Sequence, residues 1–145
     1  MDLIKIFPDK QKALSLLDTL SVRLDLIVLM EKTDTSKYAS KIIEEYYETV
    51  LELITALMSL DGYKTRSDLT GSHITTIKYL KATCKEFTER EIQLIDDFRE
   101  RRNGIKYYGR HITAEYVNTY ESQIKQTIEK LKSVLKRRLS QSYSR

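Results

Sequence analysis

The sequence contains few of the residues that interrupt or cross-link a chain. Among 145 residues there are one proline, four glycines, one cysteine and no tryptophan. So little proline and glycine excludes collagen-like and Pro/Gly-rich classes, and the lone Cys84 excludes an internal disulfide and a multi-cysteine zinc site. Two histidines far apart predict no metal site, and no glycine-rich phosphate loop is present. We therefore expect no cofactor.

Long apolar runs and targeting signals are also lacking. The longest apolar runs are a few residues, as at residues 26–30, too short to span a bilayer. The N-terminal MDLIKIFPDK lacks the basic head, apolar core and cleavage site of a secretory signal. The length suits one domain that buries its own core. We expect a single soluble, cytoplasmic domain over residues 1–145, with no membrane partner.

The net charge of +4 is unevenly placed. Residues 130–145, the expected basic end of the last helix and its tail, hold six basic side chains and no acid. Residues 99–111 hold five basic side chains against one glutamate, whereas the rest of the chain has 14 basic and 20 acidic groups. Two positive zones on an acidic body favour a local anionic partner. The alternative is a solvated helix face with a frayed basic tail.

Every strongly periodic segment has the helical period, and no period-two run appears. The inward positions include Val28 in the first helix and Ile74 in the third. These patterns predict an all-α, up-and-down bundle of about five helices. The predicted segments are residues 9–31, residues 36–60 after a polar break at 32–36, a short helix after the polar loop 61–72, residues 89–106 opened by a capping box at Thr88, and a last helix capped by Thr113.

The second predicted helix has an apolar stripe that is too broad for a helix packed on one side. Ten apolar residues between 42 and 58 contribute to it, Tyr46 and Tyr47 among them. Either this is the central helix of the bundle, or part of it faces a second subunit. The second explanation predicts a homodimer.

The segment from 98 to 111 combines basic, aromatic and glycine residues. On a helix Arg99, Arg102 and Lys106 share one face, with the tyrosines just past the turn. Guanidinium groups bind phosphate in a forked manner and tyrosine rings stack on bases, so the segment predicts a phosphate or nucleic-acid site. The candidate binding residues are Arg99, Arg102, Asn103, Lys106, Tyr107, Tyr108 and Arg110. Alternatively the arginines pair with Asp96, Asp97 and Glu100, and the tyrosines cover the core.

The chain resembles the HEPN domain (higher eukaryotes and prokaryotes nucleotide-binding) in its minimal prokaryotic form, over nearly its whole length. The similarity lies in the order and spacing of ALMSLDGYKTRSD, GSHITTIKYL and FRERRNGIKYYG. The motif of that family is an arginine, commonly followed by a polar residue, with a histidine after four to six intervening residues. Arg102 and Asn103 match its first half, but Tyr107, Tyr108 or Gly109 stands where the histidine belongs.

The resemblance implies a homodimer whose two motifs face a shared cleft. Active members of the family are metal-independent endoribonucleases, in which the histidine helps to remove the 2′-hydroxyl proton and the arginine stabilises charge on the phosphate. Other members are partners of a minimal nucleotidyltransferase, for example in toxin–antitoxin pairs, and some bind only RNA or nucleotides.

The missing histidine weakens the expectation of catalysis. Only about one tyrosine in a thousand is ionised at pH 7, so a tyrosine is a poor base. His111, nine residues beyond Arg102, could stand in or be a plain surface histidine, and His73 is interpreted as a helix-start or loop histidine. The tentative catalytic residues are Arg102, Tyr107 and His111. We expect RNA or nucleotide-phosphate binding with weak or no ribonuclease activity. The alternatives are a module that docks a nucleotidyltransferase and an active ribonuclease.

Overall fold

The computed structural model describes residues 2–66 and 71–143. Within these ranges the chain is almost entirely helical, which confirms the predicted all-α class. The elements are β1 (Leu3–Lys5), α1 (Lys10–Asp61), β2 (Tyr63–Thr65), α2 (Ser72–Thr83), α3 (Glu89–Tyr108) and α4 (Ala114–Tyr143). The prediction without strands was wrong for β1 and β2, because three-residue strands are too short to show a period-two alternation. The predicted loop 61–72 contains β2, and its residues 67–70 lie outside the described ranges.

Helix α1 is folded back on itself at Asp34. This residue has extended backbone angles, φ −168° and ψ 94°, and its carboxylate accepts a hydrogen bond from the amide of Lys37 at 3.0 Å. The carboxylate therefore caps a new helical start in the middle of the element. We call residues 10–33 the first arm and residues 35–61 the second arm. The bend lies within the predicted polar break at 32–36.

The two arms run antiparallel, side by side. Arg23 on the first arm contacts Glu45 at 2.8 Å and Glu52 at 2.7 Å on the second arm. At the open end of this hairpin the amide of Asp9 donates to the carbonyl of Ser59 at 2.8 Å. Pairs so far apart in sequence meet because residues equally distant from the bend lie opposite each other.

The open end of the hairpin is closed by the two strands, which pair antiparallel with Leu3 opposite Thr65. Gly62 ends the second arm with φ 89°, and its carbonyl accepts from the amide of Ile6 at 2.9 Å. A Cβ at Gly62 would lie 2.9 Å from the carbonyl oxygen of Ile6. Glycine is therefore required both by the left-handed backbone and by the close approach of the N-terminal segment.

The second arm is the central helix of the bundle. Tyr46 and Tyr47 are 1 % and 0 % exposed, and the Tyr46 hydroxyl donates to Glu31 at 2.8 Å. Nine of the ten apolar residues of its broad stripe are buried within one chain, namely Ile42, Ile43, Tyr46, Tyr47, Val50, Leu53, Ile54, Leu57 and Met58. The central position explains the stripe, so the argument for a second subunit from this helix was wrong.

Two side chains that were predicted to point inward are exposed. Val28 on the first arm is 41 % exposed and Ile74 at the start of α2 is 39 % exposed. Helical periodicity locates an apolar stripe, but its edges are decided by which neighbour covers them. The described helices contain no stretch that is both long and apolar enough to cross a lipid bilayer.

The ends of α3 follow their local signals. Thr88 and Glu91 form the predicted capping box, with the hydroxyl of Thr88 accepting from the amide of Glu91 at 3.2 Å. Gly109 ends the helix with φ 62°, two residues later than predicted. Gly104 does not end it and is buried inside the helix. The hydroxyl of Thr113 accepts from an amide at the start of α4, at 3.3 Å, as predicted.

Candidate functional site

Helix α3 presents three of the predicted binding residues toward α1 and α2. Arg99, Arg102 and Lys106 recur at three- and four-residue steps, which places them on one side of the helix. Side chains from both neighbouring helices join them there. We call this set the Arg102 face; it comprises Tyr47, Glu48, His73, Arg99, Arg102 and Lys106.

Arg102 occupies the centre of the Arg102 face. Its side chain is only 12 % exposed, with one guanidinium nitrogen 3.4 Å from the carboxylate of Glu48. Another guanidinium nitrogen donates to the side-chain oxygen of the neighbouring Asn103 at 3.3 Å. Both contacts are longer than the about 2.8 Å that is typical of a charge-assisted hydrogen bond. The guanidinium is thus partly desolvated but has only long contacts within the chain. Its N–H groups can therefore still donate hydrogen bonds to an anion.

Arg99 is bound more tightly by its own helix. Its Nε donates to Asp96 at 2.8 Å, and Glu100 lies 3.8 Å away. The hydrogen bond to Asp96 raises the pKa of Arg99. The predicted alternative, in which arginines of this segment pair with nearby acids, is therefore correct for Arg99. A ligand that used this guanidinium would share it with Asp96.

His73, which the sequence placed at a helix start or in a loop, lies in the first turn of α2 and belongs to the Arg102 face. Its Nδ1 is 3.1 Å from the hydroxyl of Tyr47, and the two ring centroids are 5.7 Å apart. Tyr47 is 0 % exposed, and burial raises the pKa of its hydroxyl far above the usual range. The hydroxyl of Tyr47 therefore stays protonated, and it shares one hydrogen bond with Nδ1 of the imidazole.

Burial is the main cause that lowers the pKa of His73. The positive charges of Arg102, Lys106 and Arg99 lower it further, whereas Glu48 raises it. The imidazole is therefore uncharged at neutral pH. Sequence reasoning missed this residue because its partner Tyr47 is on another helix, and no local motif connects the two.

Substitution of His73 by glutamine is expected to change how stability depends on pH. The pKa of His73 is lower in the folded chain than the about 6.5 of the unfolded chain, so the unfolded chain takes up the proton first as the pH falls below that value. The contribution of His73 should therefore lower the free energy of unfolding of the wild type by up to about 1 kcal/mol as the pH falls from 7.5 to 5.5. Urea unfolding at both pH values should show a smaller fall in His73→Gln.

The matched control for this measurement is His111→Gln. His111 is exposed and lies outside the Arg102 face, so this variant shows what the same substitution does away from the buried imidazole. An equal fall in wild type and His73→Gln would contradict the assignment of a lowered pKa to the buried imidazole.

His111 is on a different surface from His73. Together with Arg101 and Tyr116 it lines a groove of about 310 Å³ between the end of α3 and α4. The Arg101 guanidinium carbon lies 4.6 Å from the centroid of the Tyr116 ring. The side chains of neighbouring helical residues point about 100° apart around the axis, so Arg101 points to a different side of α3 from Arg102. His111 therefore lies with Arg101 and not with the Arg102 face.

Tyr107 and Tyr108 are in the last turn of α3, not beyond it, and are 65 % and 73 % exposed. The alternative prediction that they cover the core was therefore wrong. The Lys106 ammonium lies 5.9 Å from the centroid of the Tyr107 ring, and the Arg110 guanidinium lies 5.4 Å from that of Tyr108. The two rings are thus exposed stacking surfaces next to positive charge.

The basic end of α4 is largely neutralised within the chain. Lys130 contacts Glu91 at 2.8 Å, Arg137 contacts Glu86 at 2.9 Å and Arg138 contacts Asp61 at 3.0 Å. Arg145 falls outside the described residues, although α4 extends to Tyr143. Of the two basic zones, the one around Arg102 is thus the better candidate for binding an anion.

The described ranges contain no cluster of three or more histidine, cysteine or acidic side chains that could hold a metal ion.

The chain matches no model of a known protein family, and neither a curated protein nor a solved structure is significantly similar to it.

Proposed function

We propose that the Arg102 face binds a phosphate of RNA or of a nucleotide, in a HEPN-like protein with weak or no metal-independent ribonuclease activity. The observation that supports this most is the state of Arg102. Its guanidinium is 12 % exposed, has only long contacts to Glu48 and Asn103, and is flanked by further donors.

The chemistry of these donors suits a phosphate. A guanidinium gives two parallel hydrogen bonds to phosphate oxygens, and partial removal from water strengthens them. Lys106 adds a second positive charge, and the neutral imidazole of His73 adds an uncharged polar ring beside them. Glu48 is the counter-ion that a phosphate would compete with for Arg102.

The exposed tyrosines favour a ligand with bases. Tyr107 and Tyr108 follow Arg102 on the same helix by about 7.5 and 9 Å of axial rise. Stacking of a base on an aromatic ring contributes about 1–3 kcal/mol and is tolerant of sequence. Because the two side chains point about 140° and 120° away from Arg102 around the helix, a strand bound at Arg102 would reach such a ring by passing Lys106 to the end of α3.

Proton removal is poorly supported at this site, which is why we propose weak or no cleavage. Nδ1 of His73 is engaged by the hydroxyl of Tyr47, and burial together with the neighbouring positive charges lowers the pKa of the imidazole, which makes it a weaker base than a free histidine. His111 lies in the groove with Arg101. The site can therefore stabilise negative charge, but its imidazole is only a weak base for the 2′-hydroxyl proton. The predicted docking of a minimal nucleotidyltransferase remains an expectation from the resemblance.

A binding experiment in the presence of EDTA tests the proposal. Fluorescence anisotropy of a labelled single-stranded RNA should show binding, and AMP should compete if one nucleotide is enough. With three cations at the face, the logarithm of the affinity should fall with the logarithm of the salt concentration with a slope of about −2.

The same samples, run on a denaturing gel after prolonged incubation, should contain intact RNA. Cleavage that persists in EDTA would overturn the proposal of weak or absent ribonuclease activity. Failure to bind RNA or AMP at low salt would overturn the assignment of the Arg102 face.

A further inference from the structure

Exposed apolar side chains are concentrated on the first arm of α1. The described part of the chain has nine exposed large apolar or aromatic side chains, and four of them fall within eight residues of this arm. Val22 is 71 % exposed, Leu26 40 %, Val28 41 % and Leu29 62 %. Single exposed apolar residues are ordinary on protein surfaces, whereas a contiguous group marks a surface that another molecule covers.

Three of these residues form a regular stripe. Val22, Leu26 and Leu29 are spaced by four and three residues, and the next position of the same pattern is Thr33. This is the spacing of the seam in a two-helix coiled coil. We call these four residues the Leu26 stripe. The other side of the arm, with Leu20 and Ile27 as buried examples, packs on the bundle.

The charges beside the Leu26 stripe differ between its two flanks. On one flank Arg23 is held by Glu45 and Glu52 of the same chain. On the other flank Asp25 and Lys32 are exposed, and neither has an ion-pair partner among residues 2–66 and 71–143. Asp25 and Lys32 are seven residues apart and therefore lie on the same flank, with opposite charge.

We propose that the Leu26 stripe binds the same stripe of a second copy of the chain, in antiparallel orientation. Leu26 of each copy packs against Leu29 of the other, and Val22 meets Thr33 at both ends of the contact. In this register Asp25 of each copy faces Lys32 of the other, because antiparallel helices bring identical flanks together.

The charges favour the antiparallel arrangement over the parallel one. Parallel helices bring opposite flanks together, so Asp25 and Lys32 would face the flank of Arg23, which is already paired within its own chain. A second copy in antiparallel orientation is self-complementary in shape and in charge, as a two-fold interface requires. A contact of three helical turns is small, so the dimer should be weak and should dissociate in the micromolar range.

This inference does not depend on the proposed function, since no residue of the Arg102 face belongs to the Leu26 stripe. It places a contact between two copies on the first arm instead of on the buried second arm.

Sedimentation velocity over a range of micromolar concentrations tests the interface. The wild type should shift from monomer to dimer as its concentration rises. Leu29→Gln should weaken the dimer by about tenfold, because it removes an apolar side chain from the seam. Leu29 is 62 % exposed in one chain, so glutamine there has little effect on folding. Phe7→Gln is the control, since Phe7 is 93 % exposed but remote from the stripe. The dimer of this variant should dissociate in the same concentration range as the wild-type dimer.

Charge reversal tests the register. Asp25→Lys and Lys32→Asp should each weaken the dimer several-fold, and the double variant should restore it, because the two residues exchange charge across the interface. A wild type that stays monomeric at all concentrations would overturn the inference. So would a dimer that Leu29→Gln leaves unchanged, or a double variant as weak as the single ones.

Discussion

Replacement of Arg102 by alanine is expected to weaken RNA binding by about ten- to a hundredfold, which corresponds to the about 1.5–3 kcal/mol of hydrogen bonds to a charged group. The guanidinium of Arg102 is only 12 % exposed and holds the centre of the Arg102 face. Its removal takes away the forked donor and leaves the carboxylate of Glu48 without its counter-ion. The unpaired carboxylate also repels phosphate. Fluorescence anisotropy with single-stranded RNA measures the loss.

Arg101→Ala is the matched control, because it removes the same charge from the adjacent position. Arg101 lies over the ring of Tyr116 on another side of α3, so this variant should change the affinity by less than about threefold. Equal losses in both variants would show that RNA responds only to net charge. Arg102→Lys should give an intermediate affinity, since a lysine keeps the charge but not the fork. Thermal unfolding of each variant separates lost binding from lost folding.

Phe98→Ala is expected to lower the free energy of unfolding by about 3–5 kcal/mol. Phe98 is 1 % exposed and packs edge-on against Tyr46 of α1, with ring centroids 6.5 Å apart. Its ring centroid is also 5.8 Å from that of Tyr116 on α4. Alanine would leave a cavity where three helices meet, one that the rigid neighbouring rings cannot collapse to fill. Urea unfolding monitored by circular dichroism measures the effect.

The control for this core substitution is Tyr107→Ala on the same helix. Tyr107 is 65 % exposed, so its truncation should change the free energy of unfolding by less than about 0.5 kcal/mol. The same variant should lower RNA affinity several-fold if the ring stacks on a base. A large loss of stability in Tyr107→Ala, or a small one in Phe98→Ala, would contradict the burial pattern of α3.

Much of the fold and part of the site could be predicted from local patterns. The bend at Asp34, the capping box at Thr88 and the cap at Thr113 all depend on groups three or four residues apart. Arg102 and Lys106 share a face for the same reason. The C-terminal end of α3 was predicted two residues too early, because a glycine such as Gly104 can either lie inside a helix or end one.

The rest of the site could not be predicted, because it depends on pairs that are distant in sequence. His73 joins the Arg102 face through Tyr47, and the basic end of α4 is neutralised by residues such as Glu86 and Asp61. An apolar stripe also looks the same whether its own chain or another molecule covers it. The sequence by itself therefore determined the helical class, the caps and the basic face of α3, since each follows from local spacing. Only the tertiary structure decided that the apolar stripe of the second arm is covered by its own chain, that the Leu26 stripe is open and that an imidazole lies beside Arg102, because each of these depends on which helix faces meet.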